Sequence, residues 1–132
     1  DFVQGSRYVK GGKSINLPFS RKLLIKSIHV PIMNFFSNFH WTDTTQGFRG
    51  YSIKLIKNRN LDIFSKDLKN YELLIWTTLC SHDLGLKCIE IPTIRTYPKN
   101  KVNSKMKLGT KIIYFYSLLR LSLKKVRLIK EA

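Results

Sequence analysis

The chain has 132 residues, 43% of them hydrophobic and 12% aromatic, which is enough to bury a core and excludes an intrinsically disordered chain. Its 24 Lys and Arg against 8 Asp and Glu give a formal net charge of +16, which attracts nucleic acid, anionic lipid headgroups or phosphorylated small molecules. Two cysteines exclude a disulfide framework, and no apolar run approaches the roughly 18 residues of a membrane-spanning helix.

The first segment, residues 1–5, has the pattern of a strand end, and we expect Gly5 to break that strand. Ser6 and Arg7 then lead into a glycine-rich loop, which is a common way for a chain to meet a phosphate. An ordinary exit from a strand is the alternative. Because the chain begins at Asp1, without a methionine and directly in a strand-like run, we expect it to be a fragment.

A helix is predicted to begin near Ser20, its possible cap, with Pro18 just upstream. Pro31 removes a backbone donor in the middle of the pattern and should kink or divide this helix. Apolar side chains recur at three- and four-residue spacings, and we expect this stripe to face the core. Its members are Leu24, Ile28, Ile32, Phe35, Phe36 and Phe39.

Residues 42–52 predict a polar turn that feeds a short strand. Gly47 can supply a positive φ within the turn. Asp43 and Arg49 are its two charges, and a structural turn with an internal ion pair would explain both of them. Two aromatic residues flank the arginine and are expected to anchor the turn, Phe48 and Tyr51.

A second helix should begin at Asn70 or Glu72, and Gly85 stands where its C-terminal cap belongs. Residues 86–92 then predict a strand that Pro92 ends, with Ile89 and Ile91 on one side. The apolar face of the helix is expected to comprise Leu73, Trp76, Cys80 and Leu84.

Residues 93–107 predict a basic loop that contains Tyr97 and Pro98, and a long amphipathic helix follows from Leu108 to the end. Such a helix can lie in a membrane interface with its cations among anionic headgroups, or pack on the domain or on a partner subunit. Periodicity does not separate these alternatives. The apolar stripe of the helix comprises Leu108, Ile112, Phe115, Tyr116, Leu119, Leu123 and Val126.

Other kinds of site find less support in the sequence. Cys80, His82 and Cys88 could be imagined as zinc ligands, but no fourth ligand has a suitable spacing, and buried thiols are the alternative. No histidine has a serine or cysteine in a recognisable nucleophile setting, so a hydrolase is not indicated.

Three segments together resemble one enzyme family. Residues 43–49, which end in Gly-Phe-Arg, resemble a segment of family 2 glycosyltransferases of the polyprenyl-phosphate, dolichyl-phosphate mannose synthase-like type. The Gly-Ser-Arg-Tyr run at residues 5–8 and the Leu-Gly-Leu to Ile-Pro run at residues 84–92 are similar to runs in the same synthases. The loop at residues 93–107 is similar to theirs but longer, with Tyr-Pro after its arginine.

The resemblance implies an α/β fold, namely the C-terminal portion of a GT-A nucleotide-diphospho-sugar transferase fold, with few strands, flanking helices and a C-terminal amphipathic helix. Residues 1–106 would form the acceptor-side part of the catalytic domain and residues 107–132 a basic helix suited to a membrane interface. The implied reaction transfers a sugar from a nucleotide sugar to a polyprenyl phosphate with inversion. It needs Mg or Mn, whose Asp-x-Asp motif is absent from these residues, so we expect the chain alone to be inactive.

The resemblance also implies roles for individual residues. The acceptor phosphate would be bound by Arg7, Arg21 and Ser6, and the catalytic residue at the junction of donor and acceptor would be Asp43. Residues of the later loop would close over the phosphates, namely Arg95, Ser104 and Lys105. The structural turn would comprise Gly47, Phe48 and Arg49, and no metal ligand is expected in this chain.

The expected partners are a nucleotide sugar, a polyprenyl phosphate and a membrane surface, with the protein peripheral on the cytoplasmic face and an oligomer possible. A basic nucleic-acid-binding module is an alternative, although no helix-turn-helix, RNP-type or zinc-finger pattern appears, so nucleic acid is not among the expected partners. A non-catalytic, membrane-associated remnant is another.

Overall fold

The computed structural model describes residues 1–69, 71–99 and 108–131, which form an α/β fold of a small sheet and helices. The strands are β1 (Phe2–Ser6), β2 (Lys13–Ile15), β3 (Arg49–Tyr51), β4 (Cys88–Pro92) and β5 (Ile94–Thr96). The helices are α1 (Phe19–Leu24), α2 (Val30–Ser37), α3 (Ile53–Ile56), α4 (Glu72–Cys80) and α5 (Leu108–Glu131), and a π-helical turn (Ile25–His29) joins α1 to α2.

Strand β1 is the centre of a three-stranded sheet with the order β3-β1-β4, antiparallel to β3 and parallel to β4. Beyond it, β2 and β5 form a second, parallel pair in which Ser14 lies opposite Arg95. Because Ser6 at the end of β1 lies opposite Pro92 at the end of β4, the segments that follow both strands leave the sheet side by side. This parallel exit positions the candidate site.

Gly5 does not break β1 but lies inside it, so that prediction was wrong. A Cβ at this position would lie 2.8 Å from Thr93 Cγ2 and 2.9 Å from the carbonyl oxygen of Phe48. Its N–H donates to that same carbonyl at 2.8 Å. The glycine is therefore needed for the close approach of neighbouring segments, and not for a turn.

The helix predicted after Pro18 begins at Phe19, and its first residues receive no side-chain cap, so Ser20 is not the cap. The division predicted at Pro31 is confirmed, because the π-helical turn interrupts the helix just before this residue. A π turn shifts the hydrogen-bond ladder by one residue, next to a proline that has no N–H to donate.

The apolar stripe predicted for this helix is only partly correct. Ile32, Phe36 and Phe39 pack against the core, but the other members do not, because the π turn rotates one part of the helix against the other. Leu24 and Ile28 are exposed, and Phe35 is 80% exposed. The buried positions follow a regular four-residue spacing: Ile25, His29, Met33 and Ser37.

Helix α4 begins at Glu72, within the predicted start, while Asn70 lies outside the described residues. Its burial was predicted for one face, but every residue from 75 to 80 is buried. The helix contacts both α2 and α5, which explains why its second half is buried on every side. Gly85, in the turn that follows, has a φ of +70°.

The predicted strand at residues 86–92 begins at Cys88 instead, because Leu86 belongs to the turn that precedes it. Ile89 and Ile91 share one side of β4, as expected, but Ile89 is 53% exposed. That side faces outward. The other side brings Glu90 towards the interior, where it becomes part of the candidate site.

The core lies between the sheet and the helices. Phe2 of β1 is fully buried, and its ring lies 5.3 Å from that of Trp41 and 5.4 Å from that of Tyr51. Other members of this cluster come from α2, α3, α4 and α5, so one continuous core joins β1 to these four helices: Met33, Leu55, Ile75, Leu79, Leu118 and Leu121.

Helix α5 packs through a face that its sequence did not predict. Its buried side chains are Ser117, Leu118, Leu121, Ser122 and Lys125. The Lys125 ammonium forms an ion pair with Asp83 and donates to the carbonyl of Phe36 at the end of α2. This contact satisfies a cation that is only 3% exposed.

Most of the predicted apolar stripe of α5 points away from the protein. Five of its members are exposed, Ile112, Phe115, Tyr116, Leu119 and Leu123. Val126 is half-buried, and the side chain of Leu108 is outside the described set. None of the helices formed by the described residues combines the length and the apolar character needed to cross a membrane.

Candidate functional site

The structure brings Arg7 and Asp43 together in a buried ion pair. Arg7 follows β1 directly, and Asp43 lies in the turn before β3. Arg7 Nε donates to Asp43 Oδ2 at 2.6 Å and Nη2 donates to Oδ1 at 2.9 Å, a two-pronged contact that fixes the guanidinium plane. The two side chains are 2% and 0% exposed. Burial alone would lower the pKa of Arg7, but the hydrogen bonds and the charge of Asp43 outweigh burial and raise it.

The rest of the Arg7 guanidinium is also bound within the protein. Nη2 donates to Thr45 Oγ1 at 2.8 Å, and Nη1 donates to the hydroxyl of Tyr97. Together with the two bonds to Asp43, these contacts use every N–H of the guanidinium except one on Nη1. Among the described residues, the one N–H of the guanidinium without a partner is therefore on Nη1, the nitrogen that contacts Tyr97.

Three arginines that the sequence marked as candidates meet at Tyr97. The Cζ of Arg21 lies 5.5 Å from the centre of its ring, and the Cζ of Arg95 lies 5.2 Å from that centre. Arg95 also donates to Gln46 Oε1 at 2.8 Å. We call Arg7, Arg21 and Arg95 the arginine cluster.

Arg95 was predicted on a loop but lies on β5, which forms because this segment pairs with β2. The other two residues expected to close over the phosphates, Ser104 and Lys105, lie outside the described residues. No role was predicted for Tyr97, although the Tyr-Pro dipeptide to which it belongs departs from the family pattern.

A cleft of about 310 Å³ lies beside Arg7. Its lining includes three cations and no carboxylate, so its field favours an anion. Lys13 reaches it from β2 and Lys22 from α1, opposite the arginine. The residues lining the cleft are Arg7, Tyr8, Gly12, Lys13, Ser14, Asn16, Leu17 and Lys22.

Ser6, predicted to bind phosphate, has its hydroxyl engaged inside the protein. Its Oγ lies 2.6 Å from Thr42 Oγ1 and accepts a hydrogen bond from the N–H of Tyr8 at 3.1 Å. The residue has no exposed surface. In this arrangement Ser6 shapes the start of the loop that carries Arg7.

Glu90 holds the backbone of the Asp43 turn, a function that sequence reasoning missed. Its carboxylate accepts from the N–H of Thr42 at 3.0 Å, from the Thr42 hydroxyl at 2.8 Å and from the N–H of Asp43 at 3.0 Å. A carboxylate on the inward side of a strand needs such partners. The acid within the otherwise apolar run at residues 88–92 was the available signal.

Arg49 joins the same turn to α4. It donates to the carbonyl of Thr44 at 2.9 Å and to that of Leu74 at 2.7 Å. It also contacts the hydroxyls of Thr77 and Thr78. Asp43 pairs with Arg7, so the internal ion pair between Asp43 and Arg49 that a simple turn would have contained is not formed.

Gly47 and Phe48 differ from their predicted behaviour. Gly47 does not have a positive φ, and nothing lies within 4 Å of the position its Cβ would take. Phe48 is 64% exposed and does not anchor the turn through its ring. Its carbonyl makes the contact instead, by accepting from Gly5 of β1, which needs only the backbone of this residue.

His29 links three elements of the structure behind the site. Its Nδ1 lies 2.6 Å from Thr44 Oγ1 in the Asp43 turn, and its Nε2 lies 2.5 Å from the hydroxyl of Tyr114 on α5. Burial, helped by the charge of Arg49 and opposed by that of Asp43, lowers the pKa of His29 to about 4. The imidazole is therefore neutral at pH 7.

We expect stability to fall as the pH decreases from 7.5 to 5. Above pH 6.5 His29 is neutral in both states, but between 6.5 and about 4 only the unfolded state takes up its proton. By pH 5 the free energy of unfolding should drop by roughly 2 kcal/mol from this group. Urea unfolding at the two pH values measures it. His29→Gln, which has no titration here, should reduce this slope, and equal slopes in both proteins would contradict the prediction.

The described residues do not form a metal site. Within residues 1–69, 71–99 and 108–131, no three His, Cys, Asp or Glu side chains come together as ligands. Both oxygens of Asp43 are occupied by Arg7. Burial raises the pKa of Cys80 to about 12 and that of Cys88 to about 11, so neither is a ready thiolate ligand for the imagined zinc site.

One comparison with known proteins gives a match. The chain is 34% identical over 94 residues to the undecaprenyl-phosphate mannosyltransferase of Micrococcus luteus. The matched region covers 70% of this chain but 37% of that protein. No family model matches the chain, and no solved structure matches it. The likeness supports a relationship between this chain and the glycosyltransferases.

Proposed function

We propose that this chain is the acceptor-side part of a GT-A-type, family 2 glycosyltransferase. The enzyme would transfer a sugar from a nucleotide sugar to a polyprenyl phosphate with inversion. The observation that carries the proposal is the arginine cluster, whose three members meet at Tyr97. One of them, Arg7, also lines the cationic cleft, together with Lys13 and Lys22. The similarity to an undecaprenyl-phosphate mannosyltransferase supports it independently.

The chemistry of the acceptor suits this arrangement. A phosphate monoester is already ionised at neutral pH, so it needs positioning and charge stabilisation more than it needs a general base. One phosphate oxygen would form the new bond to the anomeric carbon as the bond from that carbon to the nucleoside diphosphate breaks. No proton has to be removed. Asp43 would act through Arg7, whose guanidinium plane it fixes.

The reaction would also need a divalent metal, Mg or Mn, to neutralise the departing diphosphate. Because the described residues form no metal site, its ligands would come mostly from a part of the enzyme outside this chain. The chain alone would then bind the acceptor phosphate but not turn over.

A membrane surface would supply the lipid acceptor. The exposed apolar residues of α5 lie on the same helix as exposed cations such as Lys111 and Arg120. Together with the net charge of +16, this favours peripheral contact with anionic lipids. We place that contact on the cytoplasmic face. Flotation of the chain on anionic and on neutral vesicles tests it, and replacing Phe115 and Leu119 with serine should reduce flotation.

The acceptor site is tested in the complete enzyme by Arg21→Ala. Arg21 is exposed, so its loss should leave the fold intact, whereas Arg7→Ala would leave Asp43 buried without its partner. We expect kcat/KM for polyprenyl phosphate to fall by about 10- to 100-fold, the effect of one charge-assisted contact. Affinity for the nucleotide sugar should change little.

The matched control is Arg59→Ala, which removes an equally exposed arginine from the turn after α3. It should leave both substrates unaffected. If Arg21→Ala reduced acceptor use and nucleotide-sugar binding equally, the acceptor role would be contradicted.

A further inference from the structure

Tyr97 occupies the point where a ligand of the arginine cluster would bind. Its hydroxyl accepts from Arg7 Nη1, and the guanidinium groups of Arg21 and Arg95 lie over its ring. Its backbone is held at the same time: the N–H donates to the carbonyl of Ile15 at 2.9 Å, and Asn16 donates to its carbonyl at 3.2 Å. The side chain is therefore presented to the cluster from a fixed strand end.

The chemistry of this contact resembles that of a weak ligand. The phenol oxygen is a neutral acceptor on a guanidinium whose Nε and Nη2 groups are occupied by Asp43 and Thr45. The negative faces of the ring lie towards two further guanidinium groups and offset the repulsion among three like charges. A phosphate dianion is a stronger acceptor and carries the charge that the ring only partly supplies.

We propose that Tyr97 is a placeholder for the acceptor phosphate: its hydroxyl holds the Nη1 side of Arg7 in the free protein, and a bound phosphate displaces it. The inference rests on the proposed function. One movement of Tyr97 would open Arg7 and release the ring from Arg21 and Arg95. All three arginines would then be free to contact the phosphate.

This placeholder also gives the site a specificity. A polyprenol without a phosphate has a hydroxyl that is no better an acceptor than that of Tyr97, so it gains nothing by displacing it. A phosphorylated lipid brings the charge that makes the exchange favourable. Only a ligand that accepts more strongly than the Tyr97 hydroxyl can displace it, so the site selects the phosphorylated lipid over the free alcohol.

The test is a calorimetric titration of the chain with inorganic phosphate and, separately, with a short prenyl phosphate. Tyr97→Phe removes the competing hydroxyl and keeps the ring, so it should bind both probes about tenfold more tightly than the wild type. The matched control is Tyr71→Phe, which makes the same chemical change at an exposed tyrosine just before α4 that does not line the cleft. This control should leave the affinity unchanged.

A second measurement follows Tyr97 itself. In NMR spectra of protein labelled at tyrosine Cζ, the resonance of Tyr97 is the one that disappears in Tyr97→Phe. This resonance should shift when phosphate is added. It should not move with a prenol. A purely structural tyrosine would give no such response.

The outcomes separate this inference from the function on which it rests. Tighter binding by Tyr97→Phe, together with the shifted resonance, supports the placeholder. If the wild type bound phosphate and Tyr97→Phe bound it equally or less tightly, the placeholder would be wrong while the acceptor site stood. If neither protein bound either probe, both proposals would fall.

Discussion

Replacing Asp43 with asparagine should lower the free energy of unfolding by about 3–5 kcal/mol, the range for breaking a buried ion pair. The substitution keeps the size of the side chain but removes the charge that Arg7 faces, and both side chains are almost fully buried. The amide N–H₂ would also point a donor at a guanidinium that has only donors. Urea unfolding measures the loss.

The matched control is Asp67→Asn. Asp67 pairs with Lys124 at 3.8 Å, but its side chain is 68% exposed. An exposed pair of this kind contributes at most about 1 kcal/mol, so the same chemical change should have a small effect there. A loss below about 1 kcal/mol for Asp43→Asn would mean that the Arg7 charge is compensated by other groups, and the ion pair would not be the centre of the site.

Gly12→Ala should have the second large effect, because the new Cβ has no room. It would lie 2.6 Å from the carbonyl oxygen of Ser6 and 2.8 Å from the carbonyl carbon of Arg7. These are backbone atoms and cannot rotate away as the end of a side chain can. We expect a loss of about 3 kcal/mol in unfolding free energy. Phosphate binding should weaken as well, because relief of the overlap moves Arg7.

The control for this glycine is Gly47→Ala in the Asp43 turn. Its Cβ would meet open space, and its φ is not positive. Its stability should be unchanged, or raised by up to about 1 kcal/mol through the reduced freedom of the unfolded chain. Urea unfolding and phosphate titration of the two variants give the comparison. Equal behaviour of both would show that the loop after Arg7 adapts freely, contrary to the close packing seen at Gly12.

Local sequence patterns predicted several elements of the fold correctly. The start of α4, the strand that ends at Pro92 and the division of the helix at Pro31 follow from turn residues and from proline chemistry, which act over a few positions. The predicted face of α4 is buried, but those of the other helices were predicted poorly. The π turn at Ile25–His29 moved the buried face of α1 and α2, and the buried face of α5 depends on which neighbour this helix meets.

The candidate site could be predicted only as a set of residues, not as an arrangement. Motif resemblance marked Arg7, Asp43 and Arg95, and the structure brings them close to one another. It could not reveal that Arg7 is bound by Tyr97, which is 90 positions away along the chain. Glu90 and His29 were missed for the same reason, since their partners come from distant segments.

The hydrogen bonds from Tyr114 through His29 to Thr44 have a practical consequence for producing this protein. Deleting α5 to remove its exposed apolar side chains would also remove Tyr114, and with it the hydrogen bond that holds His29 against the Asp43 turn. It would also remove Lys125, the partner of Asp83 in an ion pair. To improve solubility, the exposed apolar residues of α5 should therefore be replaced with polar ones, beginning with Ile112 and Leu123, and the helix should be kept.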